Sequence, residues 1–575
     1  MWHYRIANVW LVPLFILLAG LGSQAAPLGW DLRETEREGN FVFYDAPAGA
    51  SARGKPLDAG DLNGDGCGDL AISGVSADAS VSGRFRNDAG HVRVVMDLCA
   101  IDGWIDMSDQ AVKNPTVRTF WGARSGDMAG TEVYVGDVNA DGYDDVAFGS
   151  QNYDGPNQDR VEAGAVYLIL GSDEFAAMGD VDLLQPPDNA ILFYGATARD
   201  RFGIWVDGGD FNDDGFIDLL IGATQADGEN EARVNAGETW IIYGTSDPVA
   251  DYGKQVDMRE PPETATRIIG VDYDDLLGST TLGGDVNADD FDDAIVSASL
   301  WRESAGVGGV EFGGGDGPDN RRYNSGEVFV VFGHEALPGT VIDLAALLDD
   351  QGQPINESIA VIYGPDPGDV LGEELAVGDI NGDGRNELAL GTLVSAGLDN
   401  SMPEAGEAWI LDTSEPFAGQ AFDLAETELG RATVIYADQA GSMGGDILRF
   451  ADLNKDGYDE LLYGAPTYDV TGSDLVRRED AGLLAVLFGS QSGLPSNAGQ
   501  IMIPSSSPSN LRARYILGAD PDDEMAYGLA VYDVDGDGYL DIAPNGMLGD
   551  GPDNTVIDAG EVYVISGRVF LKPQS

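Results

Sequence analysis

The sequence predicts an all-β fold, a seven-bladed β-propeller of four-stranded antiparallel blades. An acidic nine-residue phrase recurs seven times along the 575 residues, and glycine is abundant at 79 residues, as in a turn-rich chain. Short apolar runs of strand length separate the phrases, without a sustained helical period. A chain this long normally exceeds one hydrophobic core, so an array that adds a small core per repeat explains its size.

The acidic phrase follows the pattern Asp-x-Asn-x-Asp-Gly-x-x-Asp, with a few substitutions. Its copies begin at Asp61, Asp137, Asp210, Asp285, Asp379, Asp452 and Asp533, at spacings of 76, 73, 75, 94, 73 and 81 residues. Each copy is accompanied by sequence patterns typical of strands. Among them are an apolar run directly after it and an apolar-Asp-apolar triplet such as Val181-Asp182-Leu183. These signals predict about four strands per repeat, which is the content of a propeller blade.

The two ends of the chain predict that the ring closes. The last repeat stops after its third strand, near Val562 to Ser566, while Trp30-Asp31-Leu32 supplies the missing triplet. An N-terminal strand that completes the last blade would seal the ring and cover both sheet edges. We therefore expect residues 26–575 to form one propeller.

The composition of the acidic phrase favours calcium. Hard divalent cations take six to eight oxygen ligands, and alternate side chains of an extended loop point to one side, so positions 1, 3 and 5 can converge. Glycine at position 6 permits a sharp turn, position 7 offers its carbonyl, and position 9 returns a carboxylate. An EF-hand would need glutamate at position 12, where this chain has residues such as Ile72 and Pro544.

The sequence thus predicts up to seven Ca²⁺ sites. The predicted ligands are Asp61, Asn63, Asp65, Cys67 and Asp69 in loop 1; Asp137, Asn139, Asp141, Tyr143 and Asp145 in loop 2; Asp210, Asn212, Asp214, Phe216 and Asp218 in loop 3; Asp285, Asn287, Asp289, Phe291 and Asp293 in loop 4; Asp379, Asn381, Asp383, Arg385 and Glu387 in loop 5; Asp452, Asn454, Asp456, Tyr458 and Glu460 in loop 6; and Asp533, Asp535, Asp537, Tyr539 and Asp541 in loop 7. Loop 7 carries a fourth carboxylate, Asp535, and is predicted to bind most tightly. Loop 4 has Asp290 in place of the glycine and is predicted to bind most weakly.

Charge and the N-terminal segment narrow the class of protein. The formal net charge of −68 disfavours nucleic acid and anionic membrane surfaces as partners. Residues 1–25 are typical of a signal peptide, with Arg5 before the apolar stretch Val9 to Gly22 and a small-residue cleavage site after Ala25. We expect a secreted protein, extracellular or periplasmic, without membrane insertion.

With these loops, with Phe202-Gly203 before loop 3 and with Gly464-Ala465-Pro466 after loop 6, the chain resembles the FG-GAP repeat family, as an exported bacterial-type member. Repeats of this family build the N-terminal propeller of integrin α subunits. The resemblance implies seven blades, calcium on the loops between the first two strands, and ligand recognition on the opposite face. It departs from integrins because every blade here carries an acidic loop.

The longest connection between a second and a third strand, Leu300 to Asn324, is a candidate partner-binding loop. It contains Trp301, Arg302, Tyr323 and the pair Arg321-Arg322, residue types that interfaces and glycan sites favour. An insertion without a partner is the alternative. Cys67 and Cys99 fall in the first blade on the same face, so they form a disulfide or remain free thiols.

No catalytic constellation stands out in the sequence. Downstream of the predicted signal peptide only His91 and His334 remain, in different blades, which disfavours a histidine-based zinc site or triad. We therefore expect a protein that is not an enzyme, an adhesion or recognition module for a protein or glycan ligand. A polysaccharide lyase or hydrolase on a calcium-stabilised propeller, and a structural extracellular component, are the alternatives.

Overall fold

The structure is a computed structural model of the chain. It describes residues 29–32, 41–44, 56–81, 83–96, 98–100, 104–107, 117–303, 310–318, 320–397, 400–413, 416–426, 431–472, 475–496, 499–504, 507–550 and 559–571. The predicted signal peptide lies outside these residues.

Within the described residues the strands form seven large sheets, the blades of a propeller. From the centre outward, the four antiparallel strands are Leu57–Gly60, Asp69–Gly74, His91–Val95 and Val117–Trp121 in blade 1; Ala129–Gly136, Asp145–Ser150, Ala165–Ile169 and Ala190–Tyr194 in blade 2; Val206–Gly209, Asp218–Ala223, Glu238–Ile242 and Thr266–Ile269 in blade 3; Leu277–Gly284, Asp293–Glu303, Glu327–Val331 and Ile359–Tyr363 in blade 4; Leu375–Gly378, Glu387–Thr392, Glu407–Leu411 and Ala432–Ala437 in blade 5; Ile447–Ala451, Glu460–Ala465, Leu483–Leu487 and Ala513–Leu517 in blade 6; and Met525–Tyr532, Asp541–Gly546, Glu561–Val564 and Phe41–Tyr44 in blade 7. The first strands of neighbouring blades contact each other around the whole ring. The predicted seven-bladed propeller is confirmed.

Each blade has a fifth strand, which corrects the prediction of four-stranded blades. It lies parallel to the fourth strand on the outer edge, and we call it the strap. The straps of blades 1 to 7 are Val181–Asp182, Gln255–Asp257, Val341–Asp343, Ala421–Asp423, Gln500–Ile503, Gly29–Asp31 and Trp104–Asp106. Each strap precedes the fourth strand of the next blade in sequence, so the connection between the third and fourth strands of one blade reaches back over its neighbour.

The N-terminal strand closes the ring, as predicted. Phe41–Tyr44 pairs antiparallel with Glu561–Val564 and completes blade 7. The triplet around Trp30 instead provides the strap of blade 6, parallel to Ala513–Leu517. Blades 6 and 7 therefore both depend on residues near the start of the chain.

The hydrophobic core lies between the blades. In the third strand of blade 2, Ala165, Tyr167 and Ile169 pack toward blade 1, while Val166 and Leu168 pack toward blade 3. The alternation of strand side chains thus buries both faces, which explains why these strands are apolar throughout. In the described residues one such cluster fills each of the seven blade interfaces.

Other secondary structure is sparse. Blade 4 carries a further short strand, Val310–Gly314, and two small hairpins pair Ala79–Val81 with Arg84–Arg86 and Val470–Thr471 with Arg477–Arg478. The described helices are Pro248–Tyr252 (α) and the 3₁₀ turns Leu98–Ala100, Phe175–Ala177, Glu229–Glu231, Leu344–Leu347 and Gly567–Leu571. None of the helices in the described part of the chain is long and apolar enough to cross a membrane.

Candidate functional site

The seven acidic loops join the first and second strands of the seven blades, where the sequence predicts them. The position-6 backbone is left-handed in every loop, with φ between 75° at Asp290 and 89° at Gly142. Glycine adopts this conformation at no steric cost, whereas the Asp290 side chain strains the backbone. The conformational reason given for a weaker loop 4 is therefore present in the structure.

Each loop winds around its first carboxylate. In loop 1, Asp61 accepts hydrogen bonds from the backbone N–H groups of Asp65 at 3.1 Å and Gly66 at 2.8 Å, and Asp65 accepts one from Cys67 at 2.9 Å. The same bonds recur in the other six loops. The repeated aspartates therefore shape the loop as well as supplying oxygens.

The position-9 carboxylate is buried beneath each loop. Asp145 accepts hydrogen bonds from the N–H of Val138 at 3.0 Å and of Gly171, beyond the third strand, at 2.7 Å. Burial raises the pKa of Asp145 to about 8 against these two donors, and the carboxylates of Asp141 and Asp137 raise it further. A cluster of this kind gains from a bound cation, because the ion supplies the missing positive charge.

The geometry of loop 7 fits a calcium ion. Asp533, Asp535 and Asp541 each place an oxygen within 4.8 Å of the other two. Oxygens that share one calcium at 2.3–2.6 Å lie at most about 5.2 Å apart, so the donor set has the required size. Asp537, at position 5, also pairs with Arg568. Calcium occupancy of the seven loops stays a prediction.

The side chains at position 7 serve the fold, in keeping with a ligand role for the carbonyl alone. Cys67 forms a disulfide with Cys99, with their Cα atoms 5.6 Å apart. Arg385 donates to the carbonyl of Asn287 in loop 4 at 3.0 Å, and the ring of Tyr539 lies 4.7 Å from the Lys455 ammonium.

Neighbouring loops are also tied through position 8, which sequence reasoning missed. Asp144 in loop 2 accepts the Asp61 N–H at 2.7 Å, while its own N–H donates to the Asp61 carbonyl at 3.0 Å. Asp292 and Asp459 make the same paired contacts with Asp210 and Asp379. The signal in the sequence is an aspartate at position 8 of loops 2, 4 and 6.

Arg322, a predicted partner-binding residue, has a structural role in the fold. Its guanidinium pairs with Asp423 in the strap of blade 4 and donates to the Gly364 carbonyl. We call this arrangement a clasp. In the part of the chain that the structure describes, four more blades carry one: Arg86 with Asp182 at 2.7 Å, Arg160 with Asp257 at 2.8 Å, Arg233 with Asp343 at 2.6 Å and Arg478 with Asp31 at 2.9 Å. Partner binding by this connection stays a prediction, and Tyr323 beside the clasp is 68% exposed.

The first strands line a polar cavity of about 210 Å³ in the centre of the ring, which we call the channel. Apart from Thr281, its charged and hydroxyl-bearing side chains come from positions three and five residues before the loops, which face the same side of a strand. They are Asp58, Tyr134, Asp207 and Arg449 from the former, and Glu132, Thr280 and Glu374 from the latter. Sequence reasoning missed this site because loop motifs do not mark it.

Two channel carboxyls have pKa values near neutrality. Burial raises the pKa of Asp58 to about 6, although the N–H groups of Val135 and Ala59 and the charge of Arg449 lower it. Burial also raises the pKa of Asp207 to about 7, opposed by the Gly208 N–H and by Arg449. Carboxyls of this kind can exchange protons with a substrate at physiological pH.

Arg449 is the guanidinium among the lining residues. It forms an ion pair with Glu374 at 2.5 Å, in which the Glu374 side chain is 2% exposed and the Arg449 side chain 39% exposed. The pairing holds the guanidinium in place while leaving part of it open to the cavity. The channel therefore combines two proton-exchanging carboxyls with a fixed cation that could stabilise an anion.

The chain is similar to known proteins both in single repeats and over most of its length. The family described as "FG-GAP repeat" matches residues 129–169 and 202–242, and each match covers the first three strands of one blade. The predicted FG-GAP repeats are confirmed. Integrin alpha-IIb of Mus musculus is 27% identical over 158 residues, 27% of this chain and 14% of that protein.

The longer matches are to an enzyme. Phosphatidylinositol-glycan-specific phospholipase D of Homo sapiens is 25% identical over 451 residues, 69% of this chain and 50% of that protein. The chain thus spans about half the length of these curated relatives. A solved structure described by recognition of non-reducing terminal N-acetylglucosamine by an Agrocybe aegerita lectin covers 77% of this chain and 79% of its own, with 12% identity and a TM-score of 0.34, which carries no argument about function.

These relatives overturn the functional prediction. The sequence predicts a protein that is not an enzyme, an adhesion or recognition module, with a polysaccharide-acting enzyme or a structural component as alternatives. The relatives that match across 69% of the chain are named as phospholipases instead. The prediction rested on the lack of a histidine-based site and of a catalytic motif in the sequence.

Proposed function

We propose that this chain is an enzyme of the phospholipase D type that acts on phosphatidylinositol-glycans. The observation that carries the proposal is the 25% identity over 451 residues to a phospholipase D of that specificity. The channel supports it, since it is a cavity with acid–base groups and a fixed cation.

The reaction class requires three things of the protein. In a phospholipase D reaction, water attacks the phosphorus of a phosphodiester, the P–O bond to the headgroup alcohol breaks, and phosphatidate is released. One group must take a proton from water, one must give a proton to the leaving alcohol oxygen, and one must stabilise charge on the phosphoryl oxygens.

The channel residues fit these roles. Asp58, with the lower pKa, is the base that accepts the water proton, and Asp207, with the higher pKa, is the acid that protonates the leaving oxygen. Arg449 neutralises the phosphoryl oxygens, and Glu374 positions its guanidinium. The four channel carboxylates favour a substrate whose glycan carries hydroxyl or amine groups beside the phosphate.

Calcium in the seven loops is part of the proposal as a structural cofactor. Asp58 and Asp207 stand three residues before the first ligands of loops 1 and 3, so order in the loops fixes the strands that carry them. The chemistry that Ca²⁺ supplies when bound is charge neutralisation of the loop carboxylates. Export through the predicted signal peptide of residues 1–25 completes the proposal.

The test is a product assay with the purified chain, calcium and a glycosylphosphatidylinositol-anchored protein in lipid–detergent micelles. We expect phosphatidate, identified by mass spectrometry, to form with the unmodified chain. Asp207→Asn should lower the rate at least about a hundredfold, because it removes the acid. Asp213→Asn, at an exposed position of loop 3, is the matched control and should keep the rate. Absence of phosphatidate with the folded, calcium-loaded chain would overturn the proposal.

A further inference from the structure

The acidic loops contact their neighbours around the ring in two different ways. Loops 1 and 2 are joined by the paired bonds between Asp61 and Asp144, and loops 3 and 4 and loops 5 and 6 are joined by the same bonds. Position 8 alternates with this pattern: it is aspartate in loops 2, 4 and 6, but Gly68, Ile217, Asn386 and Leu540 in loops 1, 3, 5 and 7. The loops therefore form three pairs, which we call tied pairs, and loop 7 stands alone.

A third bond joins the two loops of a tied pair through the backbone beyond a third strand. The N–H of Ser172 donates to the Leu62 carbonyl, at position 2 of loop 1, at 3.0 Å. The N–H of Leu62 donates to the buried Asp69 carboxylate of the same loop at 3.0 Å. The residue before Ser172, Gly171, donates to the buried carboxylate of Asp145 in loop 2. Hydrogen bonds through Leu62 and the Gly171–Ser172 backbone thus connect the position-9 carboxylates of the two loops.

The other two tied pairs contain the same third bond. The N–H of His334 donates to the Phe211 carbonyl of loop 3 at 3.0 Å. The N–H of Ser490 donates to the Ile380 carbonyl of loop 5 at 3.1 Å. Three copies of one set of three bonds make the pairing a repeated feature of this ring.

The borders between the tied pairs lack this set of bonds in the part of the chain that the structure describes. Among the described residues, none of the three bonds joins loop 2 to loop 3, where position 8 is Ile217. Between loops 4 and 5 the contact comes from side chains of loop 5, among them Asn386, which donates to the Asp285 carbonyl at 2.8 Å. Loop 7 meets loop 1 through a backbone bond from Gly68 to the Val534 carbonyl at 3.2 Å. The ties within a pair are therefore more extensive than the contacts between pairs.

The ties act on the backbone that carries the first predicted ligand of one loop. A loop that binds an ion loses conformational entropy as its oxygens converge. Once loop 2 is ordered, Asp144 already holds the backbone of loop 1 at Asp61, so less entropy remains to be lost there. Linkage makes this benefit reciprocal between the two loops. Two bound ions repel each other, but the Asp144 carboxylate, which is not a predicted ligand, lies between the loops and offsets part of their charge.

We propose that each tied pair takes up calcium as a cooperative unit, with the position-8 aspartate as the positioning residue that couples its two loops. Loop 7 fills without a tied partner. The inference rests on calcium as the structural cofactor of the proposed function, and it adds which loops depend on one another. Loop 4, predicted to bind most weakly, should depend on loop 3 for its occupancy.

Loop 3 permits a test with an internal control, because loop 4 is its tied partner and loop 2 is its untied neighbour. Asp210→Asn/Asp214→Asn removes two carboxylate charges from loop 3 and keeps amide oxygens that can accept the N–H bonds of the loop. Amide hydrogen exchange, followed by mass spectrometry in calcium, should become at least about fivefold faster in loop 4 and stay within about twofold in loop 2. Both neighbours lose an adjacent charge, so a difference between them reports the tie.

Asp292 supplies the second half of the test. Asp292→Ala removes the carboxylate that accepts the Asp210 N–H, and in this background the loop 3 change should alter exchange in loop 4 by less than about twofold. Asp292→Asn keeps an oxygen that can accept this bond and should retain the larger part of the coupling. Asp292→Ile, which introduces the residue type of Ile217 in loop 3, covers the case of a poorly folded alanine variant.

Equal acceleration in loops 2 and 4, or an effect on loop 4 that Asp292→Ala leaves unchanged, would overturn the inference. Equilibrium dialysis against calcium separates it from the proposed function. Bound calcium without a difference between loops 2 and 4 refutes the coupling alone. Absence of bound calcium refutes the coupling together with the calcium part of the proposed function. Coupling without phosphatidate formation in the hydrolysis assay refutes the enzyme proposal alone.

Discussion

The acidic loops begin three residues after the channel positions on the same strands. The loop residues recur in all seven blades, whereas the channel residues do not. Aspartate occupies loop positions 1 and 5 in all seven blades. The position three residues earlier holds Asp58, Tyr134, Asp207, Leu282, Ala376, Arg449 and Ala530, with no residue type shared by adjacent blades. A feature that every blade needs in order to fold must recur, whereas a site that the ring needs once is free to be asymmetric. In this chain repetition marks the fold, and its loss marks the candidate site.

Removal of calcium should produce the largest effect, and it should act on the repeated region. Each occupied loop stabilises the fold by about 2.7 kcal/mol when calcium stands a hundredfold above its Kd. With several loops occupied, chelation should lower the thermal midpoint by about 10 °C or more. Differential scanning calorimetry in calcium and in chelator measures the shift, with magnesium as the control ion. An unchanged midpoint would show that the loops are acidic turns without metal.

The clasps are the second repeated feature, and breaking one should destabilise the ring without touching the channel. Arg478→Met removes the charge that faces Asp31, in a pair with both side chains at most 7% exposed, and should cost about 3–5 kcal/mol of unfolding free energy. Arg477→Met, next in sequence and 64% exposed at its pair with Asp469, should cost less than about 1 kcal/mol. Urea unfolding measures both. Similar losses for the two variants would mean that the clasp adds nothing beyond a surface pair.

Substitutions in the channel, whose residues do not repeat from blade to blade, should lower activity. Arg449→Met removes the proposed phosphoryl-stabilising cation and should lower kcat by about 10²–10³. Because this change strands the buried Glu374, the double variant Arg449→Met/Glu374→Gln separates the effects. The double variant should have the thermal midpoint of the unmodified chain but should remain inactive. A double variant that recovers activity would refute the role of Arg449.

The pH dependence of hydrolysis sharpens the same contrast. The active form needs Asp58 ionised, above its pKa of about 6, and Asp207 protonated, below its pKa of about 7. The rate should peak between these values and fall about tenfold per pH unit on either side. Arg449 lowers the pKa of both carboxyls, so its loss should shift both limbs to higher pH, whereas Glu374 raises the pKa of Asp207. A rate that is flat from pH 5 to 8 would remove both carboxyls from the mechanism.

The smallest effect concerns the one irregular loop. Asp290→Gly relieves a left-handed residue and should stabilise the protein by about 1 kcal/mol. The reciprocal change Gly457→Asp, at φ 85° in loop 6 with open space around it, should cost about as much. Thermal melts of both variants at saturating calcium provide the measurement. Shifts of the same sign in the two variants would show that backbone conformation does not determine how the residue at position 6 affects stability.

The repeat made most of the fold predictable. Blade number, the place of the loops and ring closure follow from the seven copies and from the incomplete last repeat. The straps were visible as triplets such as Val181-Asp182-Leu183, but their partners lie in the preceding blade, and local patterns do not specify a long-range parallel pairing. The clasps could have been predicted from a recurring position in the sequence. An arginine stands four residues before the glycine that precedes the third strand in five blades, at Arg86, Arg160, Arg233, Arg322 and Arg478.

The channel could not be predicted, for a physical reason. Whether Asp58, Asp207 and Arg449 meet depends on the closure of the ring, which brings together residues separated by up to 391 positions. Neither the spacing of residues along the chain nor its hydropathy indicates that these three side chains lie close together.

The straps also set the order in which the protein can be completed. Residues 29–44 are synthesised early, but the sheets that receive them, beside Ala513–Leu517 and Glu561–Val564, emerge from the ribosome last. The clasp between Arg478 and Asp31 closes a span of 447 residues, among the most demanding entropic steps in the molecule. This early segment is therefore the last to dock, and until then the growing chain exposes the open edges of an unfinished ring, where chaperones or premature aggregation would act.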